Sequence, residues 1–428
     1  MGILSTIFSA FAAIACLINP VWGFCAYVAT LIIRPNEQFE GVLLPATVLM
    51  TMAIGIAFLF HLGRKIEWPA GTKSKAAPLM VAMLILLAIH LLLWRTNELI
   101  DWMTSEFAPV LLILLFATGH MATPKRLQAV FTTVMFSAST VAGIPFFVHF
   151  FYKGRGRLVK HRRYGEIMSY GQLWDAYHGP NGRLQGKQKG MWGNSNDLGM
   201  VANWAIPGAL FYLRRKGGTL AKIFCLLLLC MLLGVVMLTG SRGSQLQLGI
   251  TLWMVFVGGK RKVLGLFMLA VALAGILVVL PRISPERADA AASSGERQAL
   301  LGAGITMFKW KPFFGVGFNS FEENAFHRHA AHNVYLQCLA ETGLLGSSIF
   351  FPLIFFLRRE TGKGVKHFDK GGDPNMAALA RSIGALQFSF SVFILFSNQF
   401  MRFTFALVMV LGIVLYKVMQ RDTAQVEV

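Results

Sequence analysis

The chain has 428 residues, of which 55% are hydrophobic and 14% charged, and its formal net charge is +20. Soluble domains carry roughly 25% charged residues, so this composition, with a mean hydropathy of +0.57, implies an all-α integral membrane protein. A β-barrel is excluded because runs such as 223–238 are apolar on every face, and nucleic-acid binding is set aside because many basic residues sit in short clusters between apolar runs.

Apolar runs at 3–33, 42–62, 78–94, 105–121, 127–151, 195–213, 220–238, 243–257, 262–280, 333–357, 379–397 and 401–419 predict about 12 transmembrane helices. Asn19-Pro20 interrupts the first, which is either one broken span or two short ones. It lacks an early basic residue and reads as a retained span, not a cleaved signal peptide. Residues 1–428 thus form a single polytopic membrane domain.

The short loops alternate in charge. Arg64, Lys65, Lys73 and Lys75 mark one as cytoplasmic, as do Lys125 and Arg126, then Arg214 to Lys222, then Lys260 to Lys262, then Arg358 to Lys370. Between the first two lies an acidic loop with Glu98, Asp101 and Glu106. Alternation places 34–41, the long loop 152–194, the turn at Thr239–Gly243 and the long loop 281–332 on the non-cytoplasmic side. Loop 152–194 holds nine Lys/Arg against two acidic residues, an outer basic surface suited to an anionic ligand.

Three stretches converge on that face. The first, RLQGKQKGMWGNSNDLG, runs from Arg183 into a span, with Asn196-Asp197 able to cap the helix. The second, TGSRG, puts Arg242 at a membrane boundary, either snorkelling to headgroups or presenting a planar fork to a phosphate. The third runs from SGERQ, with Arg297, through FFGVGFNSF to HNVYLQCLAETGLLG. Apolar spacing over 299–308 predicts a short amphipathic helix on the membrane surface, opened by Arg297. His332-Asn333 then begins a span, with Tyr335 just inside it and Glu341 too deep to touch His332.

Zinc binding by His327, His329 and His332 is disfavoured because HxHxxH lacks a carboxylate partner or a helical i,i+4 pair. The five cysteines lack CxxC spacing, and the chain has neither a P-loop nor a Gly-rich nucleotide fingerprint. No metal and no cofactor is expected. Arginines and a histidine at segment ends outside the cytoplasm suit a lipid pyrophosphate carrying a glycan. The arginines would stabilise the leaving diphosphate, and His332 would act as the base for an acceptor hydroxyl.

These segments, over roughly residues 183–350, resemble the O-antigen ligase and polymerase superfamily of bacterial envelopes. The resemblance implies a metal-independent, GT-C-like glycosyltransferase in the inner membrane, multi-pass, with its site facing the periplasm. It implies transfer of O-antigen from undecaprenyl pyrophosphate to lipid A-core, with inversion. It assigns His332 as catalytic and Arg242, Arg297 and, less closely, Arg183 to the donor pyrophosphate; Asn333, Glu341, Asn196 and Tyr335 are supporting residues. The rivals within the superfamily are an O-antigen polymerase and a protein O-oligosaccharyltransferase. A polar-lipid transporter or flippase is the rival from another class, against which stand the few intramembrane charges and the lack of an obvious repeat.

Overall fold

The computed structural model describes residues 14, 18–34, 50–57, 73–152, 158–160, 167–169, 174–179, 183–187, 191–215, 218–257, 287–325, 329–398 and 400–426. The expected span at 262–280, His327, most of the expected span at 42–62 and much of the first half of that at 3–33 lie outside them. The chain divides into two compact units. Unit 1 comprises 1–11, 25–47 and 131–284, and unit 2 comprises 12–24, 48–130 and 285–428.

The described helices, in chain order, are α1 (Pro20–Ile33), α2 (Ala76–Trp94), α3 (Thr96–His120), α4 (Pro124–Tyr152), α5 (Ser195–Arg214), α6 (Thr219–Leu238), α7 (Arg242–Val257), α8 (Arg287–Trp310), α9 (Phe321–Asn324), α10 (Val334–Lys370), α11 (Pro374–Phe393) and α12 (Phe403–Val426). Seven helices among the described residues are long and apolar enough to cross a membrane: α2, α3, α4, α6, α10, α11 and α12. The other expected spans are shorter or more polar: α1 has 14 residues, α7 has 16, and α5 carries Asn196, Asp197 and Asn203 within its length. Exposed apolar side chains on α6, such as Leu220 at 84% and Leu227 at 64%, make sense against lipid. In water each would forfeit about 2 kcal/mol of burial.

Several expected boundaries move. The chain does break at Asn19, whose Oδ1 accepts from the amides of Val21 (3.0 Å) and Trp22 (3.4 Å) at the start of α1. The acidic stretch expected as a loop is helical: Glu98, Asp101 and Glu106 all lie in α3, which passes through a π-helical turn at Met103–Phe107. Only Arg95 separates α2 from α3. The basic stretch Arg358–Lys370 continues α10 as helix, so its charges line a helical extension and not a loop. The amphipathic helix expected over 299–308 is α8, 24 residues long, because Ala, Arg, Glu and Gln dominate the preceding stretch, 287–298, and all favour helix. Among its described residues, loop 152–194 contains a small antiparallel ribbon, Leu158–Lys160 against Ile167–Ser169, and a helical turn at 174–176.

In unit 1, α5 packs against α6 and α7. Gly199 allows close approach, since a Cβ there would lie 2.4 Å from Ser244 Oγ. Trp192, fully buried, donates from Nε1 to the Ile32 carbonyl at 2.8 Å. In unit 2, α12 is the central post, with Phe403, Thr404, Phe405 and Val408 fully buried against α3, α10 and α11. Glu106 accepts from its first amide, Phe403 N, at 2.8 Å. At the other end of α3, Lys417, Arg126 and Arg421 donate to the carbonyls of Thr118, His120 and Ala122, cations placed where a helix C-terminus is negative.

Candidate functional site

The segments singled out above fall into two groups, one in each unit. In unit 1 they gather on the turn between α6 and α7. Gly240 takes φ +58° there, a conformation that costs a side-chain-bearing residue about 1 kcal/mol or more. Ser241 caps α7: its Oγ accepts from Ser244 N at 3.2 Å and donates to Asn196 Oδ1 at 2.7 Å. Asn196 therefore ties α5 to this turn. The cap of α5 is Asn194 instead, whose Oδ1 accepts from Asp197 N at 2.8 Å, two residues earlier than expected for Asn196-Asp197.

Arg183 reaches the same turn. Its Nε donates to the Thr239 carbonyl at 2.8 Å, and Leu184 N donates to the Leu238 carbonyl at 3.1 Å. Arg242 is the first residue of α7 and is exposed. A helix N-terminus with a guanidinium in its first turn, and a second guanidinium on the preceding turn, is an arrangement that attracts anions.

In unit 2 the singled-out segments surround a hydrophobic cluster of Leu300 and Met307 on α8, Val316 on the following loop, Phe321 at the start of α9, Ala331, and Ala340 on α10. Arg297 lies inside α8, one turn before Leu300, and is exposed; it does not open the helix as expected. Gly304 permits contact between helices, because a Cβ there would sit 2.7 Å from Leu336. His332 follows the clustered Ala331 and is half-buried with φ +48°. Asn333 then caps α10, accepting from Tyr335 N and Leu336 N, each at 3.1 Å. Tyr335 stacks on Phe351 and donates its hydroxyl to the Ser391 carbonyl at 2.9 Å. It anchors the helix start to α11.

Glu341 does different work. α10 breaks at Gly343, with φ 61° and ψ −155°, and the loop Pro312–Gly317 fills the break. Val316 N and Gly317 N donate to the carbonyls of Ala340 (2.9 Å) and Glu341 (3.0 Å), while Leu344 N and Leu345 N donate to those of Pro312 (2.8 Å) and Phe313 (3.1 Å). The Glu341 carboxylate, 1% exposed, accepts from Phe321 N at 3.1 Å and from Gln337 Nε2 at 3.3 Å. FFGVG and ETGLLG are thus two halves of one joint.

Sequence reasoning missed Arg95. Its Nη1 donates to the Asn319 carbonyl at 3.0 Å, and its Nη2 bonds Glu98 and, at 2.8 Å, Glu323. Asn319 Nδ2 donates to Glu98 Oε2 at 2.8 Å. Burial works against this guanidinium's charge, but hydrogen bonds and attraction from Glu323 and Glu98 raise its pKa above the ordinary arginine value. A lone Arg between two apolar runs with Glu three residues on was the readable signal.

A family model described as O-Antigen ligase matches residues 225–351. That match supports membership of the O-antigen ligase and polymerase superfamily. It encloses Arg242, Arg297, His332, Asn333, Tyr335 and Glu341, and it leaves Arg183 and Asn196 outside. The FFGVG and ETGLLG joint also falls within the O-antigen ligase match. The family implies a glycosyltransferase-like ligase or polymerase activity on lipid-linked glycans in a multi-pass membrane protein. No curated protein matches the chain.

Proposed function

We propose that the chain is an O-antigen ligase, transferring glycan from undecaprenyl pyrophosphate to lipid A-core at the periplasmic face of the inner membrane. The observation that carries this reading is the O-antigen ligase match over 225–351. It encloses a histidine held at a capped helix start and two exposed arginines.

In the proposed reaction, an acceptor hydroxyl oxygen attacks the anomeric carbon of the donor sugar. The new glycosidic C–O bond forms as the bond from that carbon to the pyrophosphate oxygen breaks, giving inversion. His332 accepts the hydroxyl proton. Arg242 and Arg297, with Arg183, take the growing negative charge on the departing lipid pyrophosphate through charge-assisted hydrogen bonds. Asn333 and Tyr335 hold the backbone that carries His332, and Glu341 holds the loop leading to it. Asn196 steadies the turn that presents Arg242.

The test is reconstitution of purified protein in liposomes with a polyprenyl pyrophosphate-linked glycan, offered lipid A-core, a second lipid-linked glycan or a Ser/Thr peptide. Product on lipid A-core alone supports the ligase. Product on the lipid-linked glycan or the peptide instead assigns the polymerase or protein-glycosylating activity. Movement of donor between leaflets without product assigns transport. A chelator is expected to leave turnover unchanged, and lost turnover overturns the metal-independent mechanism.

A further inference from the structure

His149, on the last turn of α4, places Nδ1 3.0 Å from Nε2 of His178. The other ring nitrogen of His178, Nδ1, lies 2.7 Å from the Trp174 carbonyl. A carbonyl only accepts, so His178 Nδ1 carries a proton; neutral His178 then offers a lone pair at Nε2, and His149 Nδ1–H donates to it. Trp174 stacks on the His178 ring at 3.5 Å between centroids and 8° between planes. His178 itself is 4% exposed.

This pair adjoins the pairing of Tyr177–Gly179 with Arg183–Gln185. His178 bridges to Leu184, Gly179 N donates to the Arg183 carbonyl at 2.9 Å, and Gln185 N donates to the Tyr177 carbonyl at 3.0 Å. The far side of this pairing is the Arg183–Leu184 step that bonds the Leu238–Thr239 carbonyls. We propose that His149 and His178 are positioning residues, forming a pH-sensitive latch that holds Arg183 on the turn preceding Arg242. The proposal rests on the reading of Arg183 as part of a phosphate-binding surface.

The sensitivity follows from the proton count. Protonation of His149 adds a hydrogen at Nε2 and leaves its Nδ1–H donating, so the latch survives. Protonation of His178 puts a hydrogen on Nε2, facing the Nδ1–H of His149, and the bond is lost. The latch is therefore closed while His178 is neutral and opens only when His178 takes a second proton, which its burial and a charged His149 ring 3.0 Å away hold to a pH below the ordinary imidazole range. Among the described residues, the other ionisable groups on these segments are Asp175 and Tyr177 beside His178, and Arg183 and Lys187 on the return strand. Burial raises the Tyr177 phenol above its ordinary value, so it stays neutral throughout this range.

Hydrogen–deuterium exchange of the full-length protein in nanodiscs, corrected for intrinsic rates, tests the latch on segment 174–187. The wild type should exchange slowly at about pH 8 and on the order of tenfold faster at about pH 4. His178→Phe, which keeps the stacking but neither hydrogen bond, should exchange fast at both. His149→Asn, which keeps a donor near the Nδ1 position, should be slow at about pH 8. Binding of a short polyprenyl pyrophosphate should weaken about fivefold in His178→Phe and in the wild type at low pH. Protection that ignores pH, or a fully protected His178→Phe, overturns the latch alone. Lost protection with unchanged pyrophosphate binding overturns both the positioning role and the phosphate role of Arg183.

Discussion

Arg95 donates to the backbone carbonyl of Asn319 at 3.0 Å, joining the one residue between α2 and α3 to the loop that leads towards His332. Asn319 has φ +62°, so the guanidinium holds a carbonyl in a conformation the chain would otherwise leave. Arg95→Ala is expected to cost about 1 to 2 kcal/mol of stability and to slow glycan transfer. Glu323→Gln should be nearly silent, because the Glu323 side chain is 63% exposed and exposed ion pairs contribute little. Thermal unfolding in detergent with transfer assays on both variants checks this. Equal effects of the two substitutions would sink the claim that the Asn319 carbonyl is the important partner.

His332 sits at φ +48°, a region that favours glycine by about 1 kcal/mol. His332→Gly is therefore expected to be at least as stable as the natural protein and yet inactive. A stable, active His332→Gly would remove the histidine from the chemistry. An unstable one would show that its side chain is part of the core.

Gly343→Ala should fail for two reasons. The φ of +61° is strained for alanine, and the new Cβ would meet Gly315 N at 2.6 Å. A loss of about 3 kcal/mol or more is expected, read as poor recovery of folded protein on size exclusion. Gly295→Ala is the control, since nothing lies within 4 Å of a Cβ there.

Arg242 is exposed, so Arg242→Ala should leave the melting temperature unchanged while raising the donor KM about tenfold or more. Arg242→Lys should recover only part of that, because an ammonium lacks the bidentate fork. A donor KM equal to that of the natural protein would exclude Arg242 from donor binding.

The membrane class and most helix positions were legible because long apolar runs admit few alternatives: the run at 220–238 is α6, Thr219–Leu238. Polar stretches were harder. Glu98, Asp101 and Glu106 looked like a loop because charge marks water, yet helices tolerate charge on an open face, and α3 runs through all three. Arg183, Arg242 and His332 could be named from residue type and place in the chain. The distant partners of Arg95 and the joint between FFGVG and ETGLLG could not, since both depend on pairings between distant segments that no local pattern encodes. The histidine pair was equally hidden, as His149 reads as a span end and His178 as one residue in a basic loop.

The break at Gly343 is closed by main-chain groups alone, four amides and four carbonyls shared between Pro312–Gly317 and Ala340–Leu345. Apart from the glycines that let the two segments approach, a joint made of backbone places few demands on its side chains. Phe313 and Phe314 stand 67% and 56% exposed beside it, uncommitted to the fold. Such a seam lets descendants of this chain reshape what they greet at that surface while the hinge beneath stays as it is.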